Sequence, residues 1–265
     1  MVSQGAKAEA FRALHAGDPF LIPNPWDAGS ARVLEALGFK ALATTSSGFA
    51  FTLGRLDGRV TLDEVVDHVA SLDAATGLPI SADLENGYGS EPETAALAIT
   101  RVAQAGAVGG SIEDWDRAGH LYDHNLSTER VAAAAEAARK LEFPFTLTAR
   151  AENFIREDFD LEDTIARLQA YEQAGADVLY APGLRTTEEI RAVCDALSKP
   201  VNVLARPDLS LSLSDIAEAG AQRVSVGGNL TWVAIKAITD VGEAMLAGDL
   251  SGLDARPPAR EWLSD

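Results

Sequence analysis

Short apolar runs alternate with longer Ala/Leu/Glu-rich stretches along the chain. Eight such runs end in polar positions: Leu21–Asp27, Ala41–Ser46, Pro79–Glu85, Ala107–Asp114, Phe145–Ala151, Asp177–Gly183, Pro200–Ala205 and Arg223–Gly228. Helical spacing marks the stretches between them: Gly29–Leu37, Leu62–Thr76, Pro92–Ala105, Thr128–Lys140, Leu161–Ala174, Thr187–Leu197 and Leu213–Ala219. One more helix, Gln4–His15, precedes the first run, and another, Leu230–Met245, follows the last. Ser127 is the expected N-cap of the helix opening at Thr128, and Thr61 with Glu64 fits a capping box. Ala-Gly-Ala recurs at Ala105–Ala107, Ala174–Ala176 and Ala219–Ala221, each glycine ending a helix where a strand begins.

Strands alternating with helices predict a parallel sheet. Eight units fit a closed (β/α)8 TIM barrel, one domain over 1–265. An open doubly wound sheet is the alternative, disfavoured because no Gly-x-Gly-x-x-Gly follows the first strand. The Pro-rich tail, 250–265, carries Trp262 and is expected either to pack on a surface, such as a partner subunit, or to stay loose.

Charge narrows the partners. Lys and Arg number 22 against 40 Asp and Glu, a net −18, which argues against nucleic acid or an anionic membrane. No apolar run is long enough to span a bilayer, and the N-terminus lacks a secretion signal. The single cysteine, Cys194, excludes an internal disulfide and reads as core packing. The expectation is a soluble, cytoplasmic protein with a small-molecule substrate.

In a barrel the chemistry sits at the C-terminal ends of the strands. Asp83, Glu85 and Glu113 project there from adjacent strands, Asp83 and Glu85 sharing one face. Three converging carboxylates repel one another unless a divalent cation sits between them. All-oxygen ligands favour Mg²⁺ or Mn²⁺; the alternative is that individual acids cap the following helices. Ser46-Ser47-Gly48 reads either as an anion-binding turn or as an ordinary tight loop. Arg150 ends its strand where it can meet a substrate carboxylate or form an ion pair with Glu85 or Glu152. Gly227-Gly228-Asn229 opens the last helix, a place for phosphate or for close backbone packing.

These stretches resemble the isocitrate lyase/phosphoenolpyruvate mutase superfamily over roughly Leu21 to Met245. The resemblance rests on Ser-Ser-Gly-Phe, Leu-Gly-Arg-Leu-Asp ending at Asp57, Ala-Asp-Leu-Glu-Asn-Gly-Tyr-Gly at Ala82–Gly89, Ser-Ile-Glu-Asp at Ser111–Asp114 and Thr-Ala-Arg-Ala-Glu-Asn-Phe at Thr148–Phe154. It implies a barrel whose last helix is swapped between subunits, hence a homodimer or homotetramer. It also implies Mg²⁺ and 2-oxo or 2-hydroxy carboxylate substrates. Asp83 then becomes the main metal ligand, direct or through water, with Glu85 and Glu113 holding metal waters and Asp57 nearby. Ser47, Gly48 and Phe49 would bind the substrate carboxylate, Arg150 would sit over the reacting oxygen, and Asn202 would contact substrate.

The departures from that family are informative. Glu85 replaces a common aspartate. The loop reads Asp116-Arg117-Ala118-Gly119-His120, with Ala118 in place of the lyase cysteine. No lysine occurs between Lys40 and Lys140, where the mutases and phosphonopyruvate hydrolases carry one, and Pro182 stands near a relative's glutamate or histidine. The leading expectation is a Mg²⁺-dependent carbon–carbon lyase or decarboxylase on a small 2-oxo dicarboxylate such as oxaloacetate, through an enolate. The alternatives are a phosphonopyruvate or carboxyphosphonoenolpyruvate-type mutase or hydrolase using Arg117, and a non-catalytic 2-oxo acid binder. His120, Tyr122 or His124 is either the proton donor or an ordinary loop residue. The loop Asp116–Asn125 is expected to be mobile without ligand.

Overall fold

In a computed structural model, residues 2–254 and 257–263 are described. Helix α1 (Gln4–Leu14) leads into eight strand–helix units. The strands are β1 (Phe20–Ile22), β2 (Leu42–Ala43), β3 (Ile80–Asp83), β4 (Gly109–Glu113), β5 (Thr146–Arg150), β6 (Val178–Tyr180), β7 (Val201–Leu204) and β8 (Arg223–Ser225). The helices are α2 (Ala28–Ala36), α3 (Ser46–Thr52), α4 (Leu62–Ala75), α5 (Pro92–Gln104), α6 (His124–Arg139), α7 (Leu161–Ala174), α8 (Thr187–Asp195), α9 (Leu213–Glu218), α10 (Asn229–Leu246) and α11 (Ala259–Trp262).

All strand pairs are parallel, in the order β1-β8-β7-β6-β5-β4-β3-β2. Single contacts draw the two edges together. Ala43 N–H donates to Pro23 O at 3.1 Å, and Asn24 Nδ2 donates to Thr44 O at 3.0 Å. The result is the expected (β/α)8 TIM barrel.

Its helices bury Ala-rich faces against the sheet: Ala95, Ala98, Ile99 and Val102 of α5 and Val131, Ala134 and Ala135 of α6 join one core. Small residues let those two neighbouring helices approach closely. The Ala-Gly-Ala turns behave as expected: Gly106, Gly175 and Gly220 all adopt the left-handed conformation, φ 107–110°. At the N-terminal end of the barrel, Phe11 of α1 is fully buried. A Cβ on Gly109 would meet its ring at 2.7 Å, so that glycine makes room for the plug.

The capping box at Thr61 and Glu64 is present. Two local expectations are corrected. The helix expected from Thr128 starts at His124, capped by Asp123 rather than Ser127, whose hydroxyl instead donates to Asp123 O inside the first turn. Asp123 lies directly after the buried Tyr122, where the chain turns onto the helix. The Ser46-Ser47-Gly48 segment is the first turn of α3 and not a loop, because Thr45 supplies an N-cap hydroxyl to Gly48 N–H.

The last helix departs from an ordinary barrel. Of the eighteen residues of α10, Thr231 alone is buried, while Trp232, Val233, Ile238, Met245 and Leu246 are exposed. Its start docks on the barrel, and Val241 further along it meets the Ser251–Asp254 turn. A Cβ on Gly48 would meet Thr231 Oγ1 at 2.6 Å, and one on Gly228 would meet Ser47 Oγ at 2.5 Å. Of the tail 250–265, positions 255, 256, 264 and 265 lie outside the described residues. The rest forms a 3-10 turn, Ser251–Asp254, and α11, from which Leu263 O accepts a bond from Arg32 of α2. Among the described residues, no helix is long and apolar enough to cross a membrane.

Candidate active site

The strand ends gather the acids at one mouth. Asp83 closes β3 and is held in place from both sides. Ser46 N–H donates to its Oδ2 at 3.0 Å, Glu85 N–H lies 3.3 Å from its Oδ1, and its own N–H donates to Thr44 Oγ1 at 2.7 Å. Past Asp83 the backbone enters the left-handed region at two non-glycine residues, Glu85 (φ 47°) and Tyr88 (φ 66°). Such conformations cost free energy and persist where surrounding contacts enforce them. Buried Arg130 of α6 supplies those contacts: its guanidinium donates to the carbonyls of Asn86, Gly89 and Ser90 and lies 4.5 Å from the Tyr122 ring centroid.

The acids strain one another. Burial, then Asp83, raises the pKa of Asp57. Burial raises Glu85 to about 7, with Asp83 and Asp57 adding to the rise against the pull of Arg117. Burial, then Glu152, holds Glu113 well above the carboxylate range, again with Asp83 contributing. Asp83 is the neighbour common to all three. Among the described residues, no three Asp, Glu, His or Cys side chains are close enough to ligate one ion directly. Asp83, Glu85 and Glu113 are therefore brought to one mouth but not into a direct three-ligand cage. An all-oxygen set with one central carboxylate fits Mg²⁺, which usually keeps several waters and takes one or two carboxylates.

Arg150 ends β5 inside this ring of acids. Its Nε pairs with Glu152, and its Nη1 lies 3.4 Å from Glu113. Burial opposes the charge, but these two carboxylates hold its pKa well above the usual value. Glu152 is fixed in turn: its N–H donates to Asp114 Oδ1 at 2.8 Å, and Arg156 pairs with its Oε2 at 2.7 Å. Asp114 is anchored by Tyr171 and Arg167. Of the two ion pairs offered as the alternative role of Arg150, the one with Glu152 forms and the one with Glu85 does not; Glu85 pairs with Arg117 at 3.2 Å.

Ser46, Asp57, Glu85, Glu113 and Arg150 line a cavity of about 460 Å³, with Arg117 on its far wall. Beneath it, in the barrel axis, a smaller space of about 60 Å³ is lined by Asp83, Arg150, Tyr180, Asn202, Arg223 and Ser225, among others. On α3, three of the four amides of Ser46–Phe49 are engaged: Ser46 with Asp83, Gly48 with the Thr45 hydroxyl, Phe49 with Thr45 O. Phe49 therefore contributes packing, its ring stacked on His68 at 4.0 Å, while its N–H is committed to the helix.

The loop after β4 is tied down. Trp115 and Leu121 form an antiparallel bridge, Asp116 N–H donates to His120 O at 2.8 Å, and Asp116 Oδ1 takes the His120 N–H at 2.8 Å. Arg117 donates to Val60 O at 2.9 Å and lies 4.7 Å from the Tyr88 centroid. This hairpin gives backbone contacts to a segment that has few apolar side chains to hold it. None of the three residues offered as alternative proton donors lines the cavity. The His120 side chain is 76% exposed beside Asp116, Tyr122 is buried with its oxygen accepting from Asn86, and His124 pairs with Asp163.

Sequence reasoning assigns no role to Arg223 or Ser225. Their signal is the alternation of polar residues within β7 and β8 (Val-Asn-Val-Leu, Arg-Val-Ser), which points those side chains into the barrel.

The chain resembles known proteins along nearly its whole length. A crystal structure of a Burkholderia cenocepacia protein, provisionally described as a lyase/mutase, superposes with a TM-score of 0.94 at 52% identity, covering 98% of this chain and 95% of that one. An oxaloacetate decarboxylase of Rhodopseudomonas palustris is 30% identical over 98% of this chain and 93% of its own length. Oxaloacetate acetylhydrolase, solved with its product oxalate, gives a TM-score of 0.89 at 25% identity, covering 98% and 93%. The profile of phosphoenolpyruvate phosphomutase matches residues 11–246, and the chain belongs to that family, within the isocitrate lyase/phosphoenolpyruvate mutase superfamily of enzymes.

Proposed function

We propose that the protein is a Mg²⁺-dependent lyase that decarboxylates a small 2-oxo dicarboxylate such as oxaloacetate. The observation that carries this reading is Arg150, held rigidly between Glu113 and Glu152 at the acid-ringed mouth, in a site whose loop offers Ala118 and no cysteine. Two similar proteins, a decarboxylase and an acetylhydrolase, are named for oxaloacetate. Asp83 would hold the metal, with Glu85, Glu113 and Asp57 reaching it through water. Bound there, the ion would supply Lewis-acid stabilisation of charge on the 2-oxo oxygen.

This chain's own residues do the rest. Loss of the distal carboxylate as CO₂ moves an electron pair onto the 2-oxo oxygen, so charge develops there and no general base is needed. Arg150 meets that charge from a fixed position, which removes the cost of reorienting a donor during the reaction. Ser46 and Ser47, at the start of α3, face the substrate carboxylate. Phosphonate chemistry through Arg117 is the weaker reading, because that guanidinium is spent on Glu85, Val60 O and Tyr88.

The test is to incubate the protein and Mg²⁺ with a panel of 2-oxo diacids, 2-hydroxy diacids and phosphonopyruvate, following products by NMR. Release of CO₂ from a 2-oxo diacid is expected; phosphate or rearranged phosphonate as the product would replace this reading. We also propose that the apolar face of α10 docks on a second copy of the chain, giving a homodimer or homotetramer. Light scattering at micromolar concentration should show the oligomer; a monomer would contradict it.

A further inference from the structure

With none of His120, Tyr122 and His124 lining the cavity, the proton that completes a decarboxylation needs another source. The axial side of the site contains a phenol. Tyr180 is 8% exposed and lines the axial space with Asp83, Arg150 and Asn202, and the Arg150 guanidinium lies 5.3 Å from its ring centroid. Strand register sets it between these partners: Arg150 pairs with Tyr180 across β5 and β6, Tyr180 with Asn202, and Asn202 with Arg223. Tyr88, the other phenol near the acids, directs its hydroxyl at Glu85 Oε1, 3.5 Å away.

The hydrogen bonds behind Tyr180 have a fixed direction. Arg223 can only donate. It gives Nε–H to Asn202 Oδ1 at 2.8 Å and Nη2–H to Thr148 Oγ1 at 3.0 Å. A third donor faces Nε2 of His15 at 3.3 Å, an imidazole kept neutral by burial and by Arg223, whose Nδ1–H goes to Phe11 O. With Asn202 Oδ1 occupied by a donor, the amide must present Nδ2–H to Ser225 Oγ, 3.0 Å away. Ser225 is then an acceptor on that side, and its own proton is free for a second acceptor in the axial space that it lines together with Tyr180. A Ser225 proton on that side leaves the Tyr180 O–H to the part of the axial space lined by Asp83 and Arg150.

We infer that Tyr180 is the acid that protonates the enolate carbon, and that Arg223, Asn202 and Ser225 are positioning residues that aim its hydroxyl. The inference rests on the decarboxylase reading. After the C3–C4 bond breaks and CO₂ leaves, the electron pair held as the enolate forms a C3–H bond with the Tyr180 proton, and the 2-oxo group is restored. The phenolate left behind is met by Ser225 O–H and Arg150, and regains a proton from water. One solvent proton is consumed per turnover.

The test uses the full-length protein with Mg²⁺ and oxaloacetate, following CO₂ release alongside pyruvate, the latter trapped by a coupled dehydrogenase that accepts only the keto form. In the wild type the two should coincide. Tyr180→Phe keeps the ring and removes only the hydroxyl. It should lower kcat by about 10²–10³-fold with little change in KM, and its residual CO₂ should precede pyruvate, because the enol leaves unprotonated. Ser225→Ala, which removes a hydroxyl from an intact strand, should lower kcat by about tenfold with unchanged KM, and serves if the first variant fails to fold. Wild-type kcat with no lag in Tyr180→Phe, or wild-type kcat in Ser225→Ala if that is the variant that folds, overturns this inference alone. A wild type that releases no CO₂ from oxaloacetate overturns the decarboxylase reading and this inference with it.

Discussion

Arg150, half-buried, and Arg223, buried, belong to one row of paired strand positions, yet their surroundings are opposite. Arg150 stands among acids, paired with Glu113 and Glu152, and its pKa is pushed up. Arg223 has neutral partners only, Asn202, Thr148 and His15, and burial pulls its pKa down to about 10. The β3–β5 side is built from charges that a metal and a substrate would rebalance. The β6–β8 side is satisfied by hydrogen bonds without any ligand. One half of the mouth carries crowded charges, and the other is held by hydrogen bonds between neutral partners and one arginine.

The largest effect should come from removing the centre of the charged half. Asp83→Ala should abolish turnover, by roughly 10³-fold or more, together with tight Mg²⁺ binding, since a Lewis acid contributes several kcal/mol. Calorimetric titration of Mg²⁺ into the folded variant checks this; wild-type affinity would remove Asp83 from the metal site.

Next come the two arginines. Arg150→Met leaves buried Glu113 without its ion-pair partner and takes one of two from Glu152, and should destabilise the fold by about 3–5 kcal/mol. Arg223→Met leaves only neutral acceptors unsatisfied and should cost about 1–3 kcal/mol. Urea midpoints of the two variants measure the difference, and equal losses would erase the contrast drawn above.

A smaller effect is expected from pH. Burial raises Glu85 from 4.5 to about 7, so between these values the folded chain keeps a proton that the unfolded chain has released. The unfolded state binds fewer protons there, and stability falls as pH rises from about 4.5 to about 7. Mg²⁺ favours the ionised acids, so its stabilisation should grow over the same window. Melting temperatures with and without Mg²⁺ check this; a gap independent of pH would count against the acids as metal partners. The smallest effect belongs to Cys194, half-buried on α8, where burial pushes the thiol up to about 12. Cys194→Ser should leave kcat unchanged and stability within about 0.5 kcal/mol, as thermal melts and initial rates would show.

The barrel and the ring of acids were legible because they depend on local pattern: an apolar run, a polar end, a glycine that stops a helix. Asp83, Glu85, Glu113 and Arg150 all stand where strand ends put them. What escaped depends on where side chains go after the strand ends. Ser46–Phe49 contains turn-like residues, yet Thr45 caps it into a helix. His120 was a candidate by position, but the Trp115–Leu121 bridge turns it to solvent. The interior row of Tyr180, Asn202, Arg223 and Ser225 is scattered over three strands, and its logic appears only once those strands are side by side.

The most direct test of the account follows carboxyl-labelled oxaloacetate by ¹³C NMR with the wild-type protein, first with Mg²⁺ and then with excess EDTA. The account predicts labelled CO₂ or bicarbonate and pyruvate with Mg²⁺, and only the uncatalysed rate in EDTA. Undiminished turnover in EDTA would contradict it.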